Sequence, residues 1–557
     1  MEPDVGRASP LGVAVLAALA GCTGKGDAPE LTLHIAQGAV TAASPDLGAA
    51  PGLVGVPNLD DDDGDGVADW ETPGLSGDND LSVLEVDLGP WPARLTLSGD
   101  TEHLMVLQDG KVILGGVEGP TEARLNRGEV DDDAVVTHTL QVMYGDFLAR
   151  GTLTVTEIAD EGEDADTVSL ALTGAPLILN HHLQPAEHVW AISTPQYNRD
   201  FINVYQDTLG DAFTPISGVQ YDYDPWLQDE FEFATLSAPD AFMGFIIDSI
   251  RNGQGRPGDG LDDVAEDLWV EPDMAIGSWG QGRANSFDYF GNLEVSPPVT
   301  VDGVVYPFGR VYYGAEGRYA PKQEMRDMLD AQVVQAPFFY TTAWLTVGHV
   351  DEFQSTVPFP SSERGWKWVV NDTNAAWDLL EQMDPDTPLT RYALPSSNYQ
   401  GHDIDTVGEM LEDQALRALN DDLQRDYLDP AIETFKAELG LTDDDIIRMP
   451  GLFEETGFGG VAALIPGMAN LIVADVGDGN TYLFMADPFL RTNASDQSAD
   501  PMITYVRALF PDTEVVFLDD WALYHMNLGE VHCGSNVRRT QTEDWWTAAA
   551  HLLEDSE

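Results

Sequence analysis

Between residues 81 and 180, apolar and polar positions alternate in short runs at 81–88, 93–97, 111–114, 135–142, 153–158 and 167–172. Gly, Asp and Pro separate the runs. Alternation with period two turns successive side chains to opposite faces of a strand, one buried and one wet. Many short strands with turn signals between them predict an antiparallel sandwich. Beyond about residue 186 the pattern changes. Stretches with helical spacing at 322–335, 373–383 and 407–438 alternate with apolar, strand-like runs at 242–247, 366–370, 471–476 and 514–518. That alternation predicts a mixed α/β fold. A chain of 557 residues with 43% hydrophobic residues is long and apolar enough for two globular domains, the second large.

The N-terminal stretch reads differently. Residues 11–20 form an apolar run too short to span a bilayer. Leu19-Ala20-Gly21-Cys22 then reads as a bacterial lipobox, whose small residues fit a signal-peptidase groove and whose Cys22 would carry lipid. An ordinary signal peptide that contains a Cys is the plainer alternative. The expectation is an exported protein held to a bacterial membrane by its lipid alone, and mass spectrometry of the native N-terminus would show the adduct. Residues 23–57 are rich in Gly, Ala, Pro and Thr and read as a flexible tether with one short strand at 31–35.

Charge narrows the partners. With 96 acidic and 26 basic residues the formal net charge is −70. Phosphate backbones would be repelled, which excludes a nucleic-acid binder. Repulsion on this scale is relieved by salt or bound cations. Most of the charge reads as solvated surface, and the rest as cation sites and attraction for arginine-rich substrates. The run Asn58-Leu59-Asp60-Asp61-Asp62-Asp63-Gly64-Asp65-Gly66 has the hard oxygens and tight turns that Ca2+ needs. Two registers fit it. One uses Asp61, Asp63, Asp65 and Asp69. The other uses Asn58, Asp60 and Asp62. Asp78 and Asp80 would complete either, while Thr72 at the twelfth position excludes a full EF-hand.

Cys533 is the second of two cysteines, and so the single thiol once Cys22 is assigned to the leader. A lone Cys is more often a small buried residue than a nucleophile. Its flanks here are Gly, His, Ser and Asn, which suit a turn that presents a side chain. The segment Gly529-Glu530-Val531-His532-Cys533-Gly534-Ser535-Asn536-Val537-Arg538-Arg539, followed by Trp545-Trp546, closely resembles the end of the protein-arginine deiminases. Three further segments resemble the same family in the same order: Trp226-Leu227-Gln228-Asp229-Glu230-Phe231-Glu232, Phe290-Gly291-Asn292-Leu293-Glu294-Val295-Ser296-Pro297-Pro298 and Val347-Gly348-His349-Val350-Asp351-Glu352-Phe353.

The resemblance implies a bacterial form without the extra N-terminal domain of the animal enzymes. Its expected parts are a leader at 1–22, a tether at 23–57, an immunoglobulin-like calcium-binding sandwich at 58–185 and a five-bladed α/β propeller at 186–557. It implies hydrolysis of peptidyl arginine to citrulline through a covalent thiouronium. Cys533 would be the nucleophile, His349 the acid and base, and Asp229 and Asp351 the anions that hold the guanidinium, with Trp226 and Arg251 as further substrate contacts. If residues 349–351 form a strand, His349 and Asp351 share a face. Several Ca2+ ions are implied. Gln228, Glu232, Phe290, Leu293 and Glu294 match one site, and Glu230, Asp248, Ser249 and Asn252 match a second. Asp273 would join the Asn58–Asp62 cluster. His532 is expected to point away from Cys533 on an extended segment, and His525 to be structural.

Gly253 and Leu528 stand where the animal pattern leads one to expect arginines that contact the peptide, with Arg251 and Arg256 as replacements. That departure leaves a deiminase of free arginine or another small guanidine as an alternative. A non-catalytic calcium-binding surface lipoprotein is the rival from another class. A Cys-His protease fits less well, because it needs only one orienting acid.

Overall fold

The computed structural model describes residues 30–35, 52–62, 64, 66–73, 80–131, 134–159, 162–239, 241–251, 260–269, 273–393, 404–541 and 544–554. Cys22, Asp63, Asp65, Asp78, Asn252, Gly253 and Arg256 lie outside them. No helix among the described residues is long and apolar enough to cross a membrane.

The alternating runs form two five-stranded sheets. One contains, in spatial order, Thr32–Ile35, Ser82–Leu88, Val136–Tyr144, Leu104–Gln108 and Lys111–Gly115. The other contains Gly52–Gly55, Asp164–Gly174, Arg150–Ile158, Ala93–Gly99 and Glu122–Leu125. Ser82–Leu88 shows strict alternation of buried and half-buried positions. Leu84, Val86, Leu95, Leu140, Leu153 and Leu172 share one apolar cluster, so the inner faces of the two sheets form a common core. Filling it with fully buried Leu and Val stabilises the pair by about 1.5–3 kcal/mol per side chain. This strand order carries no assignment to the immunoglobulin type. The expected tether extends less far than residue 57. Gly52–Gly55 pairs in parallel with residues 171–174, because Leu53 and Val54 are apolar enough to bury completely.

The second half is mixed α/β. Five sheets of three or four strands recur there, each with an antiparallel pair and a parallel pair. All are open and none closes on itself, so the five-bladed propeller is not a feature that the structure displays. One of these sheets joins distant parts of the chain. Ala186–Ser193 lies between Phe213–Ser217 and Ser535–Arg539, with Val189 opposite Val537 and Ala191 opposite Ser535.

The helices are shorter than their sequence periods suggest. Residues 407–438 read as one helix but form Val407–Glu412, Gln414–Leu423 and Asp429–Leu439, with a π turn between the last two. The first break falls at Asp413, whose carboxylate accepts from the N–H groups of Ala415 and Leu416 and so starts a new helix. The helix Gln323–Ala331 stops before residue 335, because Val333 adopts a left-handed conformation at φ 61°.

Candidate active site

Four segments far apart in sequence meet around Cys533. Residues 531–534 form a turn that runs into the strand Ser535–Arg539. They leave Cys533 5% exposed. Its Sγ accepts from Asn470 Nδ2 at 3.2 Å and donates to Asp351 Oδ2 at 3.4 Å. Asn470 Oδ1 accepts from the backbone N–H groups of His532 and Cys533. Gly529 leaves room for Trp226, whose ring a Cβ there would meet at 2.3 Å.

His349 precedes the one-turn 3-10 helix Val350–Glu352 and is not on a strand, so shared strand geometry does not relate it to Asp351. A capping box explains the turn, with Glu352 accepting from the N–H groups of Gly348 and His349. His349 Nε2 lies 2.7 Å from the Ser286 carbonyl. A carbonyl only accepts, so the ring proton sits on Nε2 and Nδ1 faces inward, 3.5 Å from Asp229 Oδ1. Asp229 belongs to the short 3-10 turn Leu227–Asp229.

These groups converge on Gly291. A Cβ placed on Gly291 would lie 2.5 Å from His349 Nδ1, 3.1 Å from Asp229 Oδ1 and 3.2 Å from Asp351 Oδ1. Both carboxylate oxygens are buried and accept no hydrogen bond from the described residues. Buried acceptors of this kind are costly unless a donor arrives. Two of them beside an imidazole form a recess suited to a planar cation with several N–H groups. Burial raises the Asp229 carboxyl above its usual range, with Asp351 and Asp224 adding to the effect. Burial pushes the Cys533 thiol well above its ordinary value, and the carboxylates of Asp351 and Asp229 push it further. In the resting site Cys533 is therefore a thiol.

Beside this recess a small cavity of about 30 Å³ is lined by Gln228, Glu232, Leu293, Glu294, His532 and Arg539, among others. Gln228 donates from its amide to Glu232, and more weakly to the Phe290 carbonyl at 3.5 Å. Burial pushes Glu232 well up, with Glu294 as the next cause. Burial also brings Glu294 up to about 7. One buried and one half-buried carboxylate, an amide oxygen and nearby carbonyls make a hard-oxygen donor set, which fits Ca2+. Arg539 supplies buried positive charge there. Its guanidinium donates to the carbonyls of His182, Gln184 and Val473.

The second proposed ligand set is arranged differently. Burial pushes Glu230 up to about 8 and Asp248 to about 9, with Glu266 and Asp262 adding to Asp248. Arg251 binds Glu230 directly and reaches Asp224 Oδ2 at 2.8 Å, with its guanidinium 5.4 Å from the Tyr289 ring centre. Arg251 thus neutralises two acids. The Ser249 hydroxyl donates to the Asp288 carbonyl and accepts from the Arg251 N–H.

At the rim of the N-terminal sheets, carboxylate oxygens of Asp60, Asp62 and Asp273 lie within 4.8 Å of one another. Asp60 also accepts from the Asp273 N–H at 3.1 Å. Burial pushes Asp60 up to about 7, with Asp62 next. Asn58, Asp69 and Asp80 are buried nearby in sequence, and the Asp69 carboxylate accepts from the Asp62 N–H. Asp61 instead closes its own loop by accepting from the Gly66 N–H. Asp60 and Asp248 both line an open cleft of about 730 Å³.

Sequence reasoning missed two residues of the site. Asn470 is one, and its signal was a single amide inside the apolar run 468–474. His532 is the other. Its Nδ1 lies 2.9 Å from Asp351 Oδ2 and its Nε2 lies 3.4 Å from Glu294 Oε1. Residues 531–534 are turn and not extended, so adjacent side chains need not point opposite ways. Burial opposes charge on His532, but Glu294 and Asp351 outweigh it and raise its pKa.

A family model described as protein-arginine deiminase matches residues 164–547. Protein-arginine deiminase type-4 of Homo sapiens is 31% identical over 390 residues, which cover 68% of this chain and 56% of that protein. Type-1 of Homo sapiens is 31% identical over 460 residues, 79% of this chain and 66% of that protein. Type-1 of Mus musculus is 33% identical over 341 residues, 58% and 48% of the two chains. The chain spans between 48% and 66% of the length of these curated relatives. With 384 of its 557 residues inside the family match, the chain belongs to the protein-arginine deiminase family.

Proposed function

We propose that this protein hydrolyses the guanidinium group of peptidyl arginine to citrulline and ammonia. The supporting observation is the recess at Gly291, where two buried carboxylate oxygens without hydrogen-bond partners face His349 Nδ1 beside Cys533. A guanidinium between Asp229 and Asp351 would supply the missing donors. Its charge would also cancel the repulsion that holds Cys533 in the thiol form, so substrate itself promotes the thiolate. As the sulfur bonds to the guanidinium carbon, the thiol proton passes to His349 Nδ1. His349 gives that proton to the leaving nitrogen, and that C–N bond breaks to release ammonia and leave a thiouronium. His349 next takes a proton from water as the water oxygen bonds to the same carbon. The C–S bond breaks, the leaving Cys533 thiolate takes the remaining proton from the ureido oxygen, His349 releases its proton to solvent, and the neutral product lacks the positive charge that the aspartates held.

Ca2+ would be held by Gln228, Glu232 and Glu294 with the carbonyls of Phe290 and Leu293, where it supplies positive charge that neutralises the two glutamates. Gln228 lies in the turn that carries Asp229, and Glu232 in the strand that follows it. Quieting the repulsion between Glu232 and Glu294 would steady that carboxylate.

A second reading rests on Arg251. Its ties to Glu230 and Asp224 leave no guanidinium at that position for a peptide backbone, which favours a small guanidine as substrate. Incubation with an arginine peptide and with free arginine, each with Ca2+ and with chelator, decides between them. Ureido product from the peptide is the expected result. Product from free arginine alone would move the assignment to small guanidines, and product from neither would remove the deiminase reading.

The close approach at Gly291 gives a sharper test. A methyl group there would meet His349 Nδ1 at 2.5 Å, so the imidazole must shift, and it would crowd both aspartates. Gly291→Ala is expected to lower kcat/KM by about a hundredfold or more, the scale of a misplaced catalytic group. Its far-UV circular dichroism should match the parent. Near-parental turnover would show that the recess is not where the reaction occurs.

A further inference from the structure

We propose that His182, His532 and Glu294 form a binding site for a borderline-soft divalent transition-metal ion such as Zn2+, and that this ion and Ca2+ exclude each other. The three side chains are buried, and one ligand atom from each lies within 4.8 Å of the others. His182 Nε2 is 3.4 Å from Glu294 Oε2, and His532 Nε2 is 3.4 Å from Glu294 Oε1. A tetrahedral ion about 2.1 Å from each ligand would hold them about 3.4 Å apart. Both histidine–carboxylate spacings therefore already suit such an ion.

The remaining ring nitrogens strengthen the assignment. His532 Nδ1 is paired with Asp351 Oδ2 at 2.9 Å, and His182 Nδ1 with Ser355 Oγ at 3.0 Å. Each pairing fixes its imidazole so that Nε2 faces the shared point. Outer partners of this kind, including a carboxylate behind a histidine, orient ligands in zinc sites. The cavity that His182, His532 and Glu294 line leaves space about the size of one water molecule.

Two imidazoles and one carboxylate favour Zn2+ or its neighbours over Ca2+, which takes six to eight oxygens. Glu294 is common to this set and to the proposed Ca2+ set, so occupancy of one removes a ligand from the other. The ion would also draw on His532, the partner of Asp351. It is thus placed to inhibit without occupying the guanidinium recess. The binding claim stands on these side chains alone and does not depend on the deiminase reading.

Co2+ is the probe, because its visible absorption reports ligand type and geometry. Full-length protein in chelator-free buffer is titrated as parent, Cys533→Ala, His182→Gln and Ser355→Ala. The parent and Cys533→Ala should each bind one Co2+ with ligand-field bands and no thiolate charge-transfer band, and Zn2+ should bleach them. Saturating Ca2+ should weaken Co2+ binding at least about tenfold. His182→Gln should abolish the bands. Ser355→Ala, which keeps all three ligands, should weaken binding about tenfold or more. It also serves if His182→Gln does not fold. The proposal is overturned by absence of bands in the parent, by parental affinity in either His182→Gln or Ser355→Ala, or by a charge-transfer band that disappears in Cys533→Ala and so places the metal on the thiol.

Discussion

Cys533→Ser is expected to lose at least about a thousandfold in turnover while keeping its thermal unfolding curve. Losses of this order follow removal of a catalytic nucleophile. The two side chains are near in size, and the polar neighbours of Sγ, Asn470 and Asp351, would accept a hydroxyl without leaving a void. The hydroxyl is a far poorer nucleophile near neutral pH. It is also harder to ionise beside two carboxylates that already hold the thiol protonated. The free enzyme should therefore react slowly with iodoacetamide at neutral pH, and faster as pH rises or when a guanidinium ligand fills the recess. Substantial turnover by Cys533→Ser would sink the covalent scheme.

Chelation should have an effect nearly as large. Activity is expected to vanish in chelator and to return with Ca2+ but not with equal Mg2+, which is smaller and demands stricter geometry. Glu294→Gln should raise the Ca2+ concentration required, and the response should be steeper than single-site binding because several sites fill together. Full activity of metal-stripped protein would refute this. The same groups set a pH signature. In the folded metal-free protein the carboxyls of Glu294 and Asp60 rise to about 7, Glu230 to about 8 and Asp248 to about 9. All sit above their unfolded values near 4, so between those limits the folded state binds more protons than the unfolded state. Stability then falls as pH rises from about 4 to about 9. Ca2+ prefers the ionised carboxylates, so its stabilisation should grow over the same range, reaching about 2.7 kcal/mol per site at a hundredfold excess over Kd. Melting curves at several pH values, with Ca2+ and with chelator, check both signs.

Much of this site was legible in the chain. Cys533, His349, Asp229 and Asp351 each sit in a long segment with its own signature, and the folded chain brings all four to one recess. The two N-terminal sheets were legible because one face of each strand is buried, which writes a period of two into residues such as 82–88. The helix break at Asp413 was not. A capping aspartate inside a periodic run looks like one more polar position until its carboxylate meets the N–H groups beyond it. His532 was misjudged because face assignment depends on backbone conformation, and a turn there replaces the assumed strand. Asn470 and His182 belong to no local pattern. Their role comes from neighbours 63 and 350 residues away, a relation that spacing along the chain does not encode.

The pairing of Ala186–Ser193 with Ser535–Arg539 has a consequence for the protein during its synthesis. Cys533 leaves the ribosome some 350 residues after the strand that its own strand must join. Until then the nascent polypeptide has the aspartates and His349 but no nucleophile beside them, and Arg539 is not yet there to balance Glu232 and Glu294. Closing so long a loop is also slow compared with local pairing. On the proposed function, the growing chain would be inert towards arginine throughout elongation, and reactivity would begin only when its last strand docks.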